Sequence, residues 1–386
     1  MEIAFLQDRL ERYFKWFHRH PEPGNEELET TARIGEILHE AGIEVLDGRA
    51  GALLKTGLVA RIQGKTGKPV VALRCDIDAL PVTEASGLPY SSRKAGFMHA
   101  CGHDFHTTSL LGAAMLLNEE KETLEGTVKL LFQPAEEGGG GAQQVLDSHI
   151  LDDVAEIYGL HVAADHERGL IGISPGATHA GVGGFKIIIK GKGSHGASPH
   201  YSRDPIAAAS QLINTAQLII SRNTDPFDQA VLSFTHVEAG NTWNVIPEDA
   251  LLEGTFRAFD DEKLSWIAKR LQECCRAMAE AMEVTIDFSW RMYTMVTNNH
   301  ATLSEFAAET ARSLGLTVIP AQPGMGGEDF ALYQKSIPGV FWTIGMNSPE
   351  GTHHPGFIAD ISQLSTAAVL SAALARNSLA RLSGKP

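Results

Sequence analysis

The stretch VVALRCDIDAL, residues 70–80, is an almost unbroken apolar run that ends in the acidic residues Asp76 and Asp78. Such a run is typical of a strand covered on both faces of a sheet, because a strand with one solvated face alternates apolar and polar residues. The segments TVKLLFQ (127–133) and AEIYGLHVA (155–163) have a similar character, and helical patterns separate them. The order predicts an α/β layered domain.

The order of the predicted helices and strands changes between about residues 183 and 290. The patterns there follow the order β-α-β-β-α-β, which is the split motif of a ferredoxin-like domain. After residue 290, helix and strand patterns like those of the first 182 residues resume. We therefore expect a mixed-sheet domain formed by residues 1–182 and 291–386, with an α+β ferredoxin-like domain inserted at 183–290.

Composition and charge exclude several classes of partner. The 386 residues include 32 Lys and Arg against 47 Asp and Glu, so the average surface repels nucleic acids and anionic lipids. No apolar run is long enough to span a bilayer, and the first residues lack the pattern of a signal peptide. The expectation is a cytoplasmic protein with no nucleic-acid partner and no membrane association.

The motif HACGHDFH, residues 99–106, concentrates side chains that can coordinate a metal. The thiolate of Cys101 and the imidazole of His103 can reach one metal centre if the chain turns at Gly102. A buried thiol beside a surface histidine is the alternative interpretation. Asp104 lies where it could cap the helix that follows.

The motif FQPAEEGGGG, residues 132–141, places Glu136 and Glu137 at the end of an apolar strand. In an extended chain the two side chains would point to opposite faces. One could then bind a metal while the other acts as a general base. A solvated pair of carboxylates is the alternative.

Other candidate residues lie at strand ends or in loops rich in glycine. His161 ends the strand of YGLHV, and GTHHPGF presents His353 and His354 beside a proline. Glu328 and Asp329 in GGEDF either cap the helix that follows or take a direct part in the site. The inserted region adds GKGSHGASPH and NVIP, whose polar side chains can also be ordinary loop residues.

The motifs RCDIDALP, HACGHDFH, FQPAEEGGGG, GLHV, GKGSHGASPH, NVIP, GGEDF and HHPGF, in this order, resemble those of the co-catalytic metal amidohydrolases. The branch is that of bacterial aminoacylases, hippurate hydrolases and plant indole-acetyl-amino-acid hydrolases, within the aminoacylase and carboxypeptidase clan. The resemblance covers essentially the whole chain. It implies a two-metal catalytic domain and an inserted lid that often forms a dimer, so a homodimer through this insertion is expected.

Matched position by position, the resemblance implies that Glu136 is the general base and that five residues are metal ligands: Cys101, His103, Glu137, His161 and His353. His353 is preferred over His354 because Pro355 and Phe357 set the register of the motif. Five ligands are few for two metals, so Cys101 or a water would bridge them. Zinc or manganese is expected, and nickel and cobalt are compatible with the donors.

The resemblance also implies supporting roles. Asp76 stands where relatives elsewhere in the clan carry a metal-binding histidine, so the cysteine motif is expected to replace it. Asp78 would orient a neighbouring ligand. His195 would stabilise the oxyanion of the scissile carbonyl, while Asn244 and Arg257 would hold the substrate's carboxylate.

The implied activity is hydrolysis of the amide bond of N-acyl-L-amino acids by a metal-bound water, with Glu136 as the base. Two alternatives stay open at this point. One is a di- or aminopeptidase acting on short peptides, and the other is a non-catalytic protein that binds small molecules.

Overall fold

The computed structural model describes residues 3–46 and 54–384. Among these residues, no helix has both the length and the apolar character needed to cross a membrane. The chain forms two compact units. The first comprises Met1–Thr178, Asn298–Gln322 and Asp329–Pro386, and the second comprises His179–Thr297 and Pro323–Glu328.

The helices and strands alternate along the chain as follows: α1 Ile3–Arg19, α2 Leu28–Glu40, β1 Glu44–Val45, β2 Leu58–Gln63, β3 Val70–Asp76, α3 His103–Glu119, β4 Thr127–Gln133, α4 Gly141–Asp147, β5 Glu156–Ala163, β6 Ile171–Gly172, β7 Gly176–His179, β8 Gly181–Lys190, β9 Ser194–His195, α5 Pro205–Asn223, β10 Ala230–Ala239, β11 Val245–Ile246, β12 Asp249–Ala258, α6 Asp261–Met282, β13 Thr285–Thr294, β14 Thr297–Asn299, α7 Ala301–Ser313, β15 Val318–Ile319, α8 Ala331–Gln334, β16 Gly339–Gly345 and α9 Leu364–Leu382.

The first unit contains a mixed sheet of eight strands in the order β1-β2-β4-β3-β5-β16-β6-β15. Its central strands β4, β3, β5 and β16 are parallel. Every residue of β3 and β4 is buried, because apolar layers cover both faces. Val71 and Leu73 pack in a cluster with residues of α1, α3 and α9, while Val70 and Ala72 pack in a cluster with residues of α4 and α8. The predicted α/β layered fold is confirmed.

The second unit contains an antiparallel sheet in the order β10-β12-β8-β13. Strand β8 alternates buried and more exposed positions, as expected of a sheet with one covered face. The helices α5 and α6 contribute to its core, and the side chains of Asp204 and Asp260 cap their first turns. The order β-α-β-β-α-β and this pairing make the inserted unit ferredoxin-like, as predicted. The short segment Pro323–Glu328 also belongs to this unit, which the sequence pattern did not indicate.

Candidate active site

The carboxyl ends of the parallel strands carry the candidate site. Because β4, β3 and β5 run side by side in the same direction, the loops that follow them meet at one edge of the sheet. Asp78 follows β3, Glu136 follows β4, and His161 lies near the end of β5. His103 is the first residue of α3, and Gly102 before it has a φ of 83°, which residues with a Cβ rarely adopt.

Cys101 lies at the centre of a group of metal-donor atoms. Its Sγ is 3.4 Å from Nε2 of His161 and 3.2 Å from Nε2 of His353. Oε1 of Glu137 is 3.1 Å from Nε2 of His353 and 4.0 Å from Nε2 of His103. The structure therefore brings all five predicted ligands together. Cys101 belongs to two sets of close donors, one with His103 and His161 and one with Glu137 and His353.

Two buried atoms of this group lack a hydrogen-bond partner among the described residues: Nε2 of His103 and Oε1 of Glu137. A buried polar atom without a partner destabilises the fold, and coordination of a cation would satisfy both atoms. The donors are one sulfur, three imidazole nitrogens and carboxylate oxygens, which suit zinc and neighbouring divalent transition metals. The residues present fit a divalent metal centre.

Contacts on the far side of the imidazoles orient the donors. Nδ1 of His161 donates to the carbonyl of Val162 at 2.7 Å, which leaves its Nε2 as a lone-pair donor. Nδ1 of His103 lies 3.3 Å from Oδ1 of Asp78. Asp78 also accepts hydrogen bonds from the backbone N–H groups of Glu136 and Glu137, both at 3.0 Å. The predicted orienting carboxylate thus contacts three residues of the site, in two segments of the chain.

Burial has opposite electrostatic effects on the thiol and the imidazoles. It raises the pKa of the Cys101 thiol and lowers the pKa of His161, in each case well away from the ordinary value. Burial also lowers the pKa of His103, but the negative charges of Asp76 and Asp78 outweigh burial and raise the pKa of that ring. A bound cation favours the thiolate, so the thiol is suited to a site that a metal occupies.

The carboxylate of Asp76 is hydrogen-bonded to residues other than the predicted ligands, although its Oδ1 lies 3.8 Å from Nε2 of His103. Its Oδ2 accepts from Nη1 of Arg74 at 2.7 Å, and its Oδ1 accepts from Nδ1 of His106 at 2.6 Å. Nε2 of His106 accepts in turn from the N–H of Val162 at 3.0 Å, which fixes the tautomer. Burial opposes the charge of Asp76, but the charges of His103, His106 and Arg74 hold its pKa well below the usual range. This geometry supports the expectation that Asp76 is not a ligand.

Arg74 forms hydrogen bonds to two residues that no pattern in the sequence connects with it. Its Nε donates to Gln133 and its Nη2 to Asp329, while Gln133 also donates to Asp329. The helix-capping interpretation of Asp329 is therefore wrong, since α8 has no side-chain cap. Burial raises the pKa of Asp329 to about 6. An arginine inside a strand buried on both faces was the available signal, because such a charge requires a partner.

Glu136 and Glu137 lie in a turn. The expectation from the sequence that their side chains point to opposite faces assumed an extended chain, so it does not apply here. Ala135 before them has a φ of 51°, and Gly138 after them a φ of 100°. Oε1 of Glu136 accepts from the N–H of Asp329 at 3.4 Å. A carboxylate oxygen of Glu136, one of Glu137 and a ring nitrogen of His103 lie within 4.8 Å of one another.

His353 and His354 enter different surroundings although they are adjacent. The N–H of His353 donates to the carbonyl of Ala100 at 2.7 Å, which fixes it beside Cys101. Nδ1 of His354 accepts from the N–H of Gly356 at 3.1 Å and lies 3.6 Å from Glu350. The structure therefore places His353, and not His354, among the donors.

The remaining predicted residues belong to the second unit. His195 and Val245 pair between β9 and β11, so Asn244 is close to His195 along the same two-stranded sheet. Nδ1 of His195 accepts from the N–H of Ala197 at 3.0 Å, so the hydrogen of the neutral ring is on Nε2. Nη1 of Arg257 donates to the carbonyl of Met325 at 2.6 Å, a contact that the sequence did not predict.

Comparisons with known proteins agree with these observations. The sequence model of the family described as Peptidase family M20/M25/M40 matches residues 72–377. An N-acetylcysteine deacetylase of Bacillus subtilis is 44% identical over 358 residues, which is 93% of this chain and 93% of that protein. An IAA-amino acid hydrolase of Arabidopsis thaliana is 38% identical over 388 residues, covering 96% of this chain and 87% of that protein. A Bacillus subtilis crystal structure, described as a dinuclear metal binding peptidase from the M20 family, is similar with a TM-score of 0.88 and 41% identity, covering 97% of this chain and 99% of that one.

Proposed function

Since the chain belongs to peptidase family M20/M25/M40 and is a hydrolase that acts on amide bonds, we propose that its substrates are N-acyl-L-amino acids. The observation that carries the proposal is the buried donor group, in which two atoms have no hydrogen-bond partner within the described chain, beside the carboxylate of Glu136. The deacetylase and the IAA-amino acid hydrolase support the substrate class, because the names of both proteins describe amides of amino acids.

Two divalent cations would be held by the five donor residues around Cys101, and zinc or manganese suits them best, with nickel and cobalt as alternatives. Cys101 belongs to both donor sets, so its thiolate would help to hold the cations. When bound, the cations polarise the scissile carbonyl and make the attacking water more acidic. The solved relative that is described as dinuclear supports two cations per chain.

Glu136 would accept the proton of the attacking water and deliver it to the leaving amine. Its neighbour Glu137 lies among the donors, so one carboxylate would bind metal while the other moves the proton. The backbone contacts of Asp78 support this division, because they hold the amides of both residues in one turn.

His195 would donate from Nε2 to the oxyanion that forms on the scissile carbonyl, since its tautomer leaves the hydrogen there. Asn244 and Arg257 would bind the substrate's carboxylate. One nitrogen of Arg257 is already occupied by the carbonyl of Met325, so its remaining N–H groups would face the substrate. A homodimer through the second unit stays a prediction.

The test compares the wild type with Glu136→Gln on a panel of N-acyl amino acids that varies the acyl group and the side chain separately. We expect turnover by the wild type and a loss of about three or more orders of magnitude in kcat for the variant, because the amide cannot accept the proton. Metal content should stay at two ions per chain in both proteins.

The panel also contains the same dipeptides with free and with acylated amino groups. Faster cleavage of the free peptides would replace the proposed substrate class with that of a peptidase. Near-normal turnover of Glu136→Gln with metal bound would contradict the assignment of the base.

A further inference from the structure

We infer that Glu27 is a positioning residue for the general base, because its buried carboxylate holds the turn that carries Glu136. This inference rests on the proposed function of Glu136. Glu27 lies more than a hundred residues away in the chain, immediately before α2. Its side chain reaches the turn through the N–H of Ala135, at 2.7 Å from Oε1.

Two buried carboxylates accept from three consecutive backbone amides. Glu27 accepts from Ala135, and Asp78 accepts from Glu136 and Glu137. Asp78 also contacts a predicted metal ligand, so its position depends on the metal centre as well as on the turn. Glu27 makes the corresponding contact from outside the donor group.

The conformation of the turn is one that the local sequence does not favour. Ala135 is fully buried with a φ of 51°, a region that residues with a Cβ adopt at a conformational cost. A strained turn persists when surrounding contacts determine it. Because the strained residue directly precedes Glu136, a relaxation at Ala135 would redirect the carboxylate of the base.

The second oxygen of Glu27 anchors the carboxylate to the scaffold. Its Oε2 accepts from Oγ1 of Thr56 at 2.6 Å, and both residues are buried. Burial raises the pKa of Glu27, so keeping this acid inside the protein has an energetic cost. Two short hydrogen bonds offset that cost and fix the oxygen that faces the turn.

The carboxylate of Glu27 does not cap its own helix, which distinguishes it from a neighbouring carboxylate. Its side chain makes no capping hydrogen bond to α2. The first turn of that helix is held by Glu22, which accepts from the N–H groups of Glu29 and Thr30 at 3.2 and 2.8 Å. Glu22 is similarly buried and also accepts from two donors, so it offers a matched control with a purely structural role.

The experiment measures kcat, KM, metal content and thermal midpoint for the metal-loaded full chain on an N-acetyl amino acid. In Glu27→Ala we expect kcat to fall about 10- to 100-fold with KM changed by less than about threefold, because the base is misplaced while substrate binding is kept. In Glu27→Gln the amide oxygen can still accept from Ala135, and its N–H can donate to Thr56. This variant should keep kcat within about threefold of the wild type.

Glu22→Ala should lower the thermal midpoint while kcat of the folded enzyme stays unchanged. If Glu27→Ala does not fold, Glu27→Asp replaces it, since a side chain shorter by one methylene withdraws the carboxylate from Ala135. An unchanged kcat in Glu27→Ala or Glu27→Asp would overturn the inference. So would equal losses of kcat in the Glu27 and Glu22 variants, which would indicate general destabilisation.

The same series includes Glu136→Gln, so the two hypotheses can fail separately. If Glu136→Gln retains turnover, the proposed base is wrong, whatever the Glu27 variants do. If Glu136→Gln is inactive while Glu27→Ala has a normal kcat, only the positioning role of Glu27 is refuted.

Discussion

Two adjacent residues at the start of α3, His103 and Asp104, belong to opposite kinds of polar cluster. Nε2 of His103 faces other donors and has no hydrogen-bond partner in the described part of the chain. The N-cap of α3 is Gly102 and not Asp104, but Oδ1 of Asp104 accepts from the N–H of Phe105 in the first turn at 2.8 Å. Its Oδ2 lies 2.6 Å from Nδ1 of His18, and Nε2 of His18 lies 3.1 Å from Glu84. The second cluster thus has a histidine between two carboxylates.

The difference between the clusters is whether the polar groups find hydrogen-bond partners within the protein. Burial opposes a charged ring at His18, but the hydrogen bonds of Asp104 and Glu84 outweigh it and raise the pKa of His18 to about 9. Burial opposes the charge of Glu84 as well, and its hydrogen bonds to His18 and Ser86 lower its pKa to about 2. The cluster around Cys101 leaves donors unsatisfied. Residue types alone therefore do not distinguish a metal site from a structural ion cluster, whereas several donor atoms close together with unsatisfied members among them favour a metal site.

The largest expected effect comes from removing a donor of the unsatisfied cluster. His353→Ala should lose metal and reduce kcat/KM by about two or more orders of magnitude, because its ring contacts both Cys101 and Glu137. Elemental analysis and an activity assay measure both quantities. His354→Ala is the matched control and should behave as the wild type, since its ring lies outside the donors. Equal losses of metal and of kcat/KM in the two variants would contradict the assignment of His353, and not His354, as a ligand.

A second variant removes the central residue of the satisfied cluster. His18→Ala leaves two buried carboxylates facing each other, so the free energy of unfolding should fall by about 3–5 kcal/mol while metal content is kept. Urea denaturation measures the change. His149→Ala removes a histidine from an exposed pair with Asp152, and should change stability by less than about 1 kcal/mol. Loss of metal in folded His18→Ala would show that the clusters are not independent.

The smallest expected effect is a pH dependence of stability. The folded-state pKa of His18 is raised from 6.5 to about 9, so its contribution is complete below pH 6.5 and is lost as the pH rises through about 9. At about 1.4 kcal/mol per unit of pKa shift, the contribution that is lost is about 3 kcal/mol. Urea denaturation of metal-free wild type and His18→Ala between pH 6 and 10 should show the difference shrinking. A difference independent of pH would refute the charged state of His18.

Much of the fold could be read from local patterns. The apolar run at 70–80 predicted a strand covered on both faces, and β3 is buried throughout. The β-α-β-β-α-β order predicted the inserted ferredoxin-like unit, and the family match confirms the resemblance that the motifs indicated. The ligand roles stay predictions, although the structure brings the donors together.

Other features could not be read because their cause lies in distant contacts. Ala135, which has a φ of 51°, donates to Glu27, and Asp329 accepts from Arg74 and Gln133. Neither partner is close in the sequence, so a capping interpretation of Asp329 was as reasonable as the buried ion pair.

Periodicity and motif spacing predicted the fold class, the inserted unit and the residue types of the site, because these are properties of neighbouring residues. Which polar groups satisfy one another depends on the packed structure. Cys101 contacts His353, which is 252 residues away in the chain, and His18 contacts Asp104 from another helix. The difference between a closed ion cluster and a group of unsatisfied donors is set by those packed contacts, because hydrogen bonds and charges act over a few ångströms in space and not along the chain.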